Sequence, residues 1–313
     1  MRKRHYGRVT AVDPVRLAQW CARHLGSPPA AELFRSGYLS EVIGLRLADR
    51  REVVVKVRPH SPRIAACVEV QRRLFESGYP CPEPLSGAVP FGDDLATAEA
   101  YVAGGATLPS AGRAAWAFAE AFARLVRLAP RPAEVPALDP PPPWAAWSHA
   151  GPGLWPDPEG RDVDLNAVAG PDWIDNAGRR ARDRLRAGAS DTVIGHCDWL
   201  AGNLRWNGDT LLVVHDWDSV TADSEAVLAG LAAALYSTVS ADELASVEET
   251  DRFLDAYCEA RGEQFSADER ERSWAAGCWT RAFDAKHQHA AGQPVRSLTE
   301  NQAGERLRRA GTG

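Results

Sequence analysis

The chain is poor in lysine, with only Lys3, Lys56 and Lys286 against 33 arginines among 313 residues. It has a single methionine and no uninterrupted apolar run of the length a membrane-spanning helix needs. The basic start, Met1-Arg2-Lys3-Arg4-His5, is followed by no apolar stretch, so no secretory signal is expected there. Six cysteines (Cys21, Cys67, Cys81, Cys197, Cys258 and Cys278) are scattered without a CxxC pair. That excludes a zinc ribbon or a disulfide scaffold and fits a reducing cytoplasm. No basic stripe with interleaved aromatics appears, so no nucleic-acid footprint is expected, and no membrane association either.

What is present is ordinary in bulk and uneven in detail. The hydrophobic share of 45% and charged share of 25% suit a water-soluble globular chain with a real core. Residues 1–101 carry 15 basic and 11 acidic side chains, whereas residues 102–313 carry 21 and 31. Such a division suits an anionic ligand near the first part and a cationic one near the second. Scarcity makes Lys56 conspicuous, because it interrupts the β-branched run Glu52-Val53-Val54-Val55-Lys56-Val57, which reads as a strand. A lysine on a strand offers a compact point charge to an anion, which an arginine fork does not.

The pattern along the chain predicts a helix over residues 13–25, with Asp13 as N-cap and Pro14 in the first turn. Three strands are expected over residues 31–36, 41–48 and 51–58, the last two a hairpin around Asp49-Arg50. A helix over residues 61–77, closed by Gly78, precedes a proline-stiffened connector and strand-like pieces at 85–89 and 95–102. Residues 31–102 therefore read as a small antiparallel sheet with one helix packed on it. Gly104-Gly105 marks a boundary, after which helical spacing dominates: 114–128, 172–186, 222–239, 241–261, 267–289 and 297–309. Residues 130–143 hold seven prolines and read as an irregular excursion.

The most informative stretch is Gly195-His196-Cys197-Asp198-Trp199-Leu200-Ala201-Gly202-Asn203, followed by Val213-Val214-His215-Asp216-Trp217-Asp218. Asp198, Asn203 and Asp216 are oxygen-bearing side chains at fixed spacing. Phosphoryl transfer needs one carboxylate to hold an accepting hydroxyl. It also needs a carboxamide and a second carboxylate to hold magnesium against nucleotide phosphates.

A strand lysine, a helix, a hinge and then a helical part with His-x-Asp-x4-Asn and a later Asp resemble the aminoglycoside phosphotransferase family, over about residues 30–290. The resemblance implies an α+β, bilobal, protein-kinase-like fold. Residues 1–102 would form a small antiparallel-sheet N-lobe that binds nucleotide. Residues 103–313 would form a larger, mostly helical C-lobe with the catalytic loop, metal site and substrate site. It implies ATP or GTP and Mg²⁺ as cofactors and a small hydroxylated acceptor. By similarity, Asp198 would orient the acceptor hydroxyl, while Asn203 and Asp216 would hold magnesium. Lys56 would meet the α- and β-phosphates and Glu69, with Glu76 as fallback, would hold Lys56 in place. Ser40 would lie in the loop covering the nucleotide, and Glu99, Tyr101 and Val102 would form the hinge whose backbone meets the base. His196 would brace the loop rather than react, and Asp218 would touch metal or substrate or cap the next segment.

The chain also departs from the family pattern. Cys197 stands where glycine is usual, and Leu200-Ala201 where His-Pro is often seen. Leu200 replaces the lysine of Ser/Thr protein kinases, and no Ala-Pro-Glu follows Asp216, so a protein acceptor is disfavoured. The acidic second part favours a cationic acceptor, and with it an antibiotic-modifying, protective enzyme over a metabolic kinase for a sugar or amino alcohol. Trp144, Trp147 and Trp155 fall where the family varies its substrate site. Two readings of other classes compete: a nucleotide-binding module without catalysis, and a metal-dependent hydrolase built on His196, Asp198, His215, Asp216, His287 and His289.

Overall fold

The computed structural model describes residues 12–37, 39–108, 114–158, 163–188, 191–237 and 245–313. Helix α1 (Pro14–His24) starts where Asp13 accepts a hydrogen bond from the Val15 N–H at 3.1 Å. Strands β1 (Pro29–Ser36), β2 (Glu41–Leu47) and β3 (Glu52–Pro59) follow, then helix α2 (Ile64–Glu76) and strands β4 (Val89–Phe91) and β5 (Asp94–Ala100). They form an antiparallel five-stranded sheet in the order β1-β2-β3-β5-β4.

Strand β3 has two faces of different chemistry, as period-two alternation requires. Val53, Val55 and Val57 join Leu17, Trp20 and Cys21 of α1, with Ile43, Leu45 and Ala98, in a small apolar core. The other face carries Lys56 and Arg58, both buried, toward the larger part of the molecule. This arrangement explains a difference from the sequence expectation. The helix packed on the sheet core is α1. Helix α2 turns Ala66, Cys67, Val70 and Leu74 into the core of the helical region, with Tyr79 and Cys81. The centre of the remaining sheet face is polar, with Lys56, Arg58, Thr97 and Glu99, so most of the apolar stripe of α2 is buried elsewhere.

The helical region comprises α3 (Ala114–Leu128), α4 (Asp172–Arg186), α5 (Glu225–Leu235), α6 (Val247–Arg261), α7 (Ala267–Ala290) and α8 (Glu300–Arg309). Between α4 and α5 lie β6 (Thr192–His196), the hairpin β7 (Leu204–Asn207) with β8 (Thr210–Val214), and β9 (Val220–Ser224), which pairs with β6. The helix expected over 222–239 therefore begins only at Glu225; Ala222, Asp223 and Ser224 belong to β9 instead. The expected strand at 85–89 falls instead at β4. Residues 130–143 are irregular apart from 3₁₀ turns at Pro132–Glu134 and Pro143–Ala145. Residues 238–244, parts of two expected helices, lie outside the described residues.

Helix α5 is apolar all round, and its residues from Ala226 to Leu235 are buried. It crosses α7 so closely that a Cβ on Gly230 would sit 2.0 Å from the Ser273 carbonyl oxygen. Only glycine permits that approach. No helix among the described residues is long and apolar enough to cross a membrane.

Candidate active site

Strand β6 delivers His196 to a sharp loop, and the β7–β8 hairpin brings the chain back beside it. Two backbone bonds close the loop: His215 N to Asn203 O at 2.8 Å, and Cys197 N to Ser219 O at 2.9 Å. The Asn203 amide donates to the Asp198 backbone oxygen and to its carboxylate Oδ2, each at 2.9 Å. With its NH₂ group committed, Asn203 keeps its carbonyl oxygen for a cation. Burial pushes the Asp198 carboxyl up to about 6, the Asn203 bond pulls it down, and the nearby Asp218 charge pushes it up again. A base in that range loses little driving force when it takes a proton near neutrality.

His196 is fully buried and braces the loop. Its Nδ1 accepts from the Asp198 N–H at 3.2 Å, so its Nε2 carries the proton and donates to the His215 carbonyl at 3.1 Å. Burial lowers it to about 4, which keeps this neutral tautomer in place.

Asp216 has a left-handed backbone, φ +67°, costly for a non-glycine residue, by about 1 kcal/mol. The conformation aims its carboxylate at the sheet, where Oδ1 lies 3.8 Å from Lys56 Nζ. Desolvation and the like charge of Asp218 push the Asp216 carboxyl up; with 43% of the side chain open to solvent, the like charge is the stronger reason. Burial works against the charge of Asp218, but Arg58 and then Lys56 hold it well below the usual range. Asp218 forms an ion pair with Arg58 of β3. Arg63, just before α2, donates to the Asp218 carbonyl at 2.5 Å and to the Val220 carbonyl. Two cationic side chains from the first part thus grip the 216–220 turn of the second.

Lys56 is buried, yet its ammonium stays above its usual value, because Glu99, then Asp216 and Asp218, outweigh desolvation. Its nearest carboxylate belongs to Glu99, 3.3 Å away. The expected partner Glu69 does not reach it. Glu69 pairs with Arg72 at 2.6 Å and Arg73 at 2.8 Å, and Glu76 with Arg72 at 2.5 Å. Helix phase is the reason: 69, 72, 73 and 76 form one outward ladder, while Cys67 and Gln71 face the cleft. Glu99 lies within β5, so its side chain, and not only its backbone, belongs to the site. Tyr101 and Val102 follow β5; the Tyr101 N–H bonds to Glu52 O at 3.0 Å and its ring lies 5.7 Å from Phe34. Ser40 is in the β1–β2 turn, where a Cβ on Gly37 would lie 1.8 Å from the Ser40 carbonyl oxygen. Tyr38 of that turn is outside the described residues.

Trp144 donates to the Cys197 carbonyl at 2.9 Å and so supports the loop that carries Asp198. Trp147 donates to Asp223 and Trp155 to Asp175, each at 2.7 Å, and Trp155 also lines a cavity with His149, Asp157 and Asp164. His289 bonds to the Ala169 carbonyl at 2.9 Å, and His287 stacks on Phe283. Among the described residues, no three His, Cys, Asp or Glu side chains gather to hold a metal unaided, as a hydrolase centre would require. Asp216 and Asn203 do supply hard oxygens, and Mg²⁺ needs only one or two protein ligands beside water and phosphates. Arg58, Arg63 and Gln71 were not singled out from sequence. For Arg58 the signal existed, since on a strand it shares the face of Lys56.

The model of the phosphotransferase enzyme family matches residues 30–275, most of the chain. No curated protein matches it. Solved structures share its architecture at low identity. An amicoumacin kinase in complex with AMP-PNP, Ca²⁺ and its antibiotic has TM-score 0.59 and 12% identity over 95% of this chain and 93% of that one. A spectinomycin phosphotransferase in complex with ADP and spectinomycin has TM-score 0.57 and 12% identity over 96% and 94%. A choline/ethanolamine kinase family protein from Mesorhizobium loti has TM-score 0.51 and 16% identity over 95% and 92%. With its antiparallel sheet, its helical second part and its loop at Asp198, the chain belongs to the aminoglycoside phosphotransferase family of small-molecule kinases.

Proposed function

We propose that this kinase moves the γ-phosphoryl group of ATP or GTP to a hydroxyl of a small, cationic antibiotic, and so protects its host. The observation that carries the chemistry is the braced pair Asp198–Asn203 on the same loop closure as Asp216, with Lys56 of the sheet 3.8 Å beyond. Asp198 orients the acceptor hydroxyl and takes its proton as the new O–P bond forms and the bond between the γ-phosphorus and the β,γ-bridging oxygen breaks, releasing the diphosphate. Lys56 neutralises the phosphates at the sheet, and Ser40, between β1 and β2, covers them. Backbone groups near Tyr101 and Val102 meet the base. Asp216 and Asn203 would hold Mg²⁺, which supplies charge neutralisation at the β- and γ-phosphates. Most of the barrier is lowered by positioning and charge.

The acidic balance of residues 102–313 and the antibiotics named with the structural neighbours support an antibiotic acceptor. The test is nucleotide turnover and mass spectrometry against a panel of aminoglycosides, other cationic antibiotics, sugars and amino alcohols. One polycationic antibiotic gaining a single phosphoryl group is the expected result. Turnover only with sugars or amino alcohols would make it a metabolic kinase. Full turnover by Lys56→Ala would defeat the kinase site altogether.

A further inference from the structure

Lys56 has a carboxylate partner from an unexpected element. The inner face of α2 presents Ile64, Cys67, Val68 and Gln71 to the cleft that Lys56, Thr97 and Glu99 line from the sheet. None of those helix residues is acidic, and Glu69 and Glu76 point away into their arginine ladder. The carboxylate comes from the sheet itself. Lys56 is opposite Thr97 and Val54 opposite Glu99 in the β3–β5 register, so Glu99 is the diagonal neighbour of Lys56 on the same face. Long side chains reach across such a diagonal. Glu99 Oε1 lies 3.3 Å from Lys56 Nζ, and each side chain is only 9% exposed. The other oxygen, Oε2, accepts from Gln71 Nε2 at 3.0 Å, and the same amide donates to the Pro82 carbonyl at 2.9 Å. Both N–H bonds of the Gln71 amide are thereby used, which fixes the carboxylate on its far side.

We propose that Glu99 is the positioning residue for Lys56, and that Gln71 braces Glu99. This rests on the reading of Lys56 as the phosphate-binding lysine. The ion pair is closed between neighbouring strands, while α2 is docked separately in the helical core and tied through Arg63 to the 218–220 backbone. Lys56 is therefore aimed at the phosphates by the sheet, without a carboxylate carried in on a helix. A buried charge pair of this kind is sensitive to losing one partner, because the remaining charge is left without its counter-ion.

The test is a double-mutant cycle of Glu99→Gln and Lys56→Met, read by calorimetric binding. The probes are Mg·AMP-PNP or Mg·GMP-PNP, whichever the wild type binds, against the matching nucleoside without phosphates. Circular dichroism and thermal unfolding confirm that each variant is folded. If Glu99 acts through Lys56, E99Q weakens the triphosphate analogue about tenfold or more and leaves nucleoside binding within about twofold. Lys56→Met/Glu99→Gln then binds the analogue no worse than Lys56→Met alone. The proposal is overturned if E99Q binds the analogue like the wild type. It is equally overturned if E99Q weakens nucleoside and analogue alike, or adds its full effect in the Lys56→Met background. Undiminished analogue binding by Lys56→Met would instead remove the phosphate role of Lys56, a separate result that takes this proposal with it.

Discussion

Asp198 and His196 pull the stability of this molecule in opposite directions as pH changes. The Asp198 carboxyl sits at about 6 in the folded chain, against about 3.9 when unfolded. The fold therefore binds more proton than the unfolded chain between those values, and stability falls as pH rises through the window. Above it, the cost stays at about 3 kcal/mol at most. Burial lowers His196 and His215 to about 4, so each adds stability as pH rises from 4 toward 6.5. Asp216, whose carboxyl is also raised, opposes the histidines alongside Asp198, so a variant at Asp198 isolates a single group. Asp198→Asn removes that group's contribution. In EDTA, thermal scans should show D198N melting above the wild type at pH 7, with the gap closing near pH 4. A variant that is no more stable at pH 7 would mean that the carboxylate is better solvated than the loop geometry implies. The same variant should lose at least about a hundredfold in phosphoryl transfer, the usual contribution of a positioned base.

Elements differ in how openly the sequence announces them. Helices α3 and α4 fall at 114–128 and 172–186 as spacing predicts, and the β2–β3 hairpin turns at Asp49-Arg50. These are long, strongly patterned segments in which burial and local propensity agree. Pattern placed α2 on the sheet, whereas α1 covers its apolar face. The apolar stripe of α2 is visible, but its destination depends on the polar far face of β3 and β5, which becomes evident only when the strands are paired. The loop of Asp198, Asn203 and Asp216 was legible because its spacing is local. The Lys56 partner was not, because cross-strand register, and not helix periodicity, chooses Glu99 over Glu69. Beginning the helix at 222 overlooked β9, whose pairing with β6 sets the Cys197–Ser219 contact beneath the site. At this scale, the α5–α7 crossing offers a direct test. Gly230→Ala drives a Cβ into the Ser273 backbone and should cost about 3 kcal/mol or more, measured by urea unfolding. Gly208→Ala, at a hairpin position with nothing within 4 Å of the added Cβ, carries only the strain of its positive φ and should cost less.

At the scale of the whole molecule, the sheet and the helical region meet through arginine. Arg58 pairs with Asp218, and Arg63 ties α2 to the carbonyls of Asp218 and Val220. Asp216 lies two residues before Asp218, so the clamp fixes the turn that carries a proposed metal ligand. Removing the Arg58 charge leaves Asp218 beside Asp216 without its counter-ion. Arg58→Met should therefore destabilise the protein by about 3 kcal/mol, while Arg58→Met/Asp218→Asn should recover part of that loss. Equal stability of the single and double variants, by chemical denaturation, would show that the pair contributes nothing beyond packing.

The central claim is that Asp198, on the loop braced by Asn203 and closed against Asp216, directs a phosphoryl group to a small hydroxylated acceptor. Its most direct test is ³¹P NMR of wild type and D198N incubated with magnesium, nucleotide and the responsive member of the antibiotic and metabolite panel. The account predicts one new phosphomonoester resonance with the wild type and none above background with folded D198N. A phosphomonoester formed at an undiminished rate by D198N, or none from any acceptor in the panel with nucleotide bound, would contradict it.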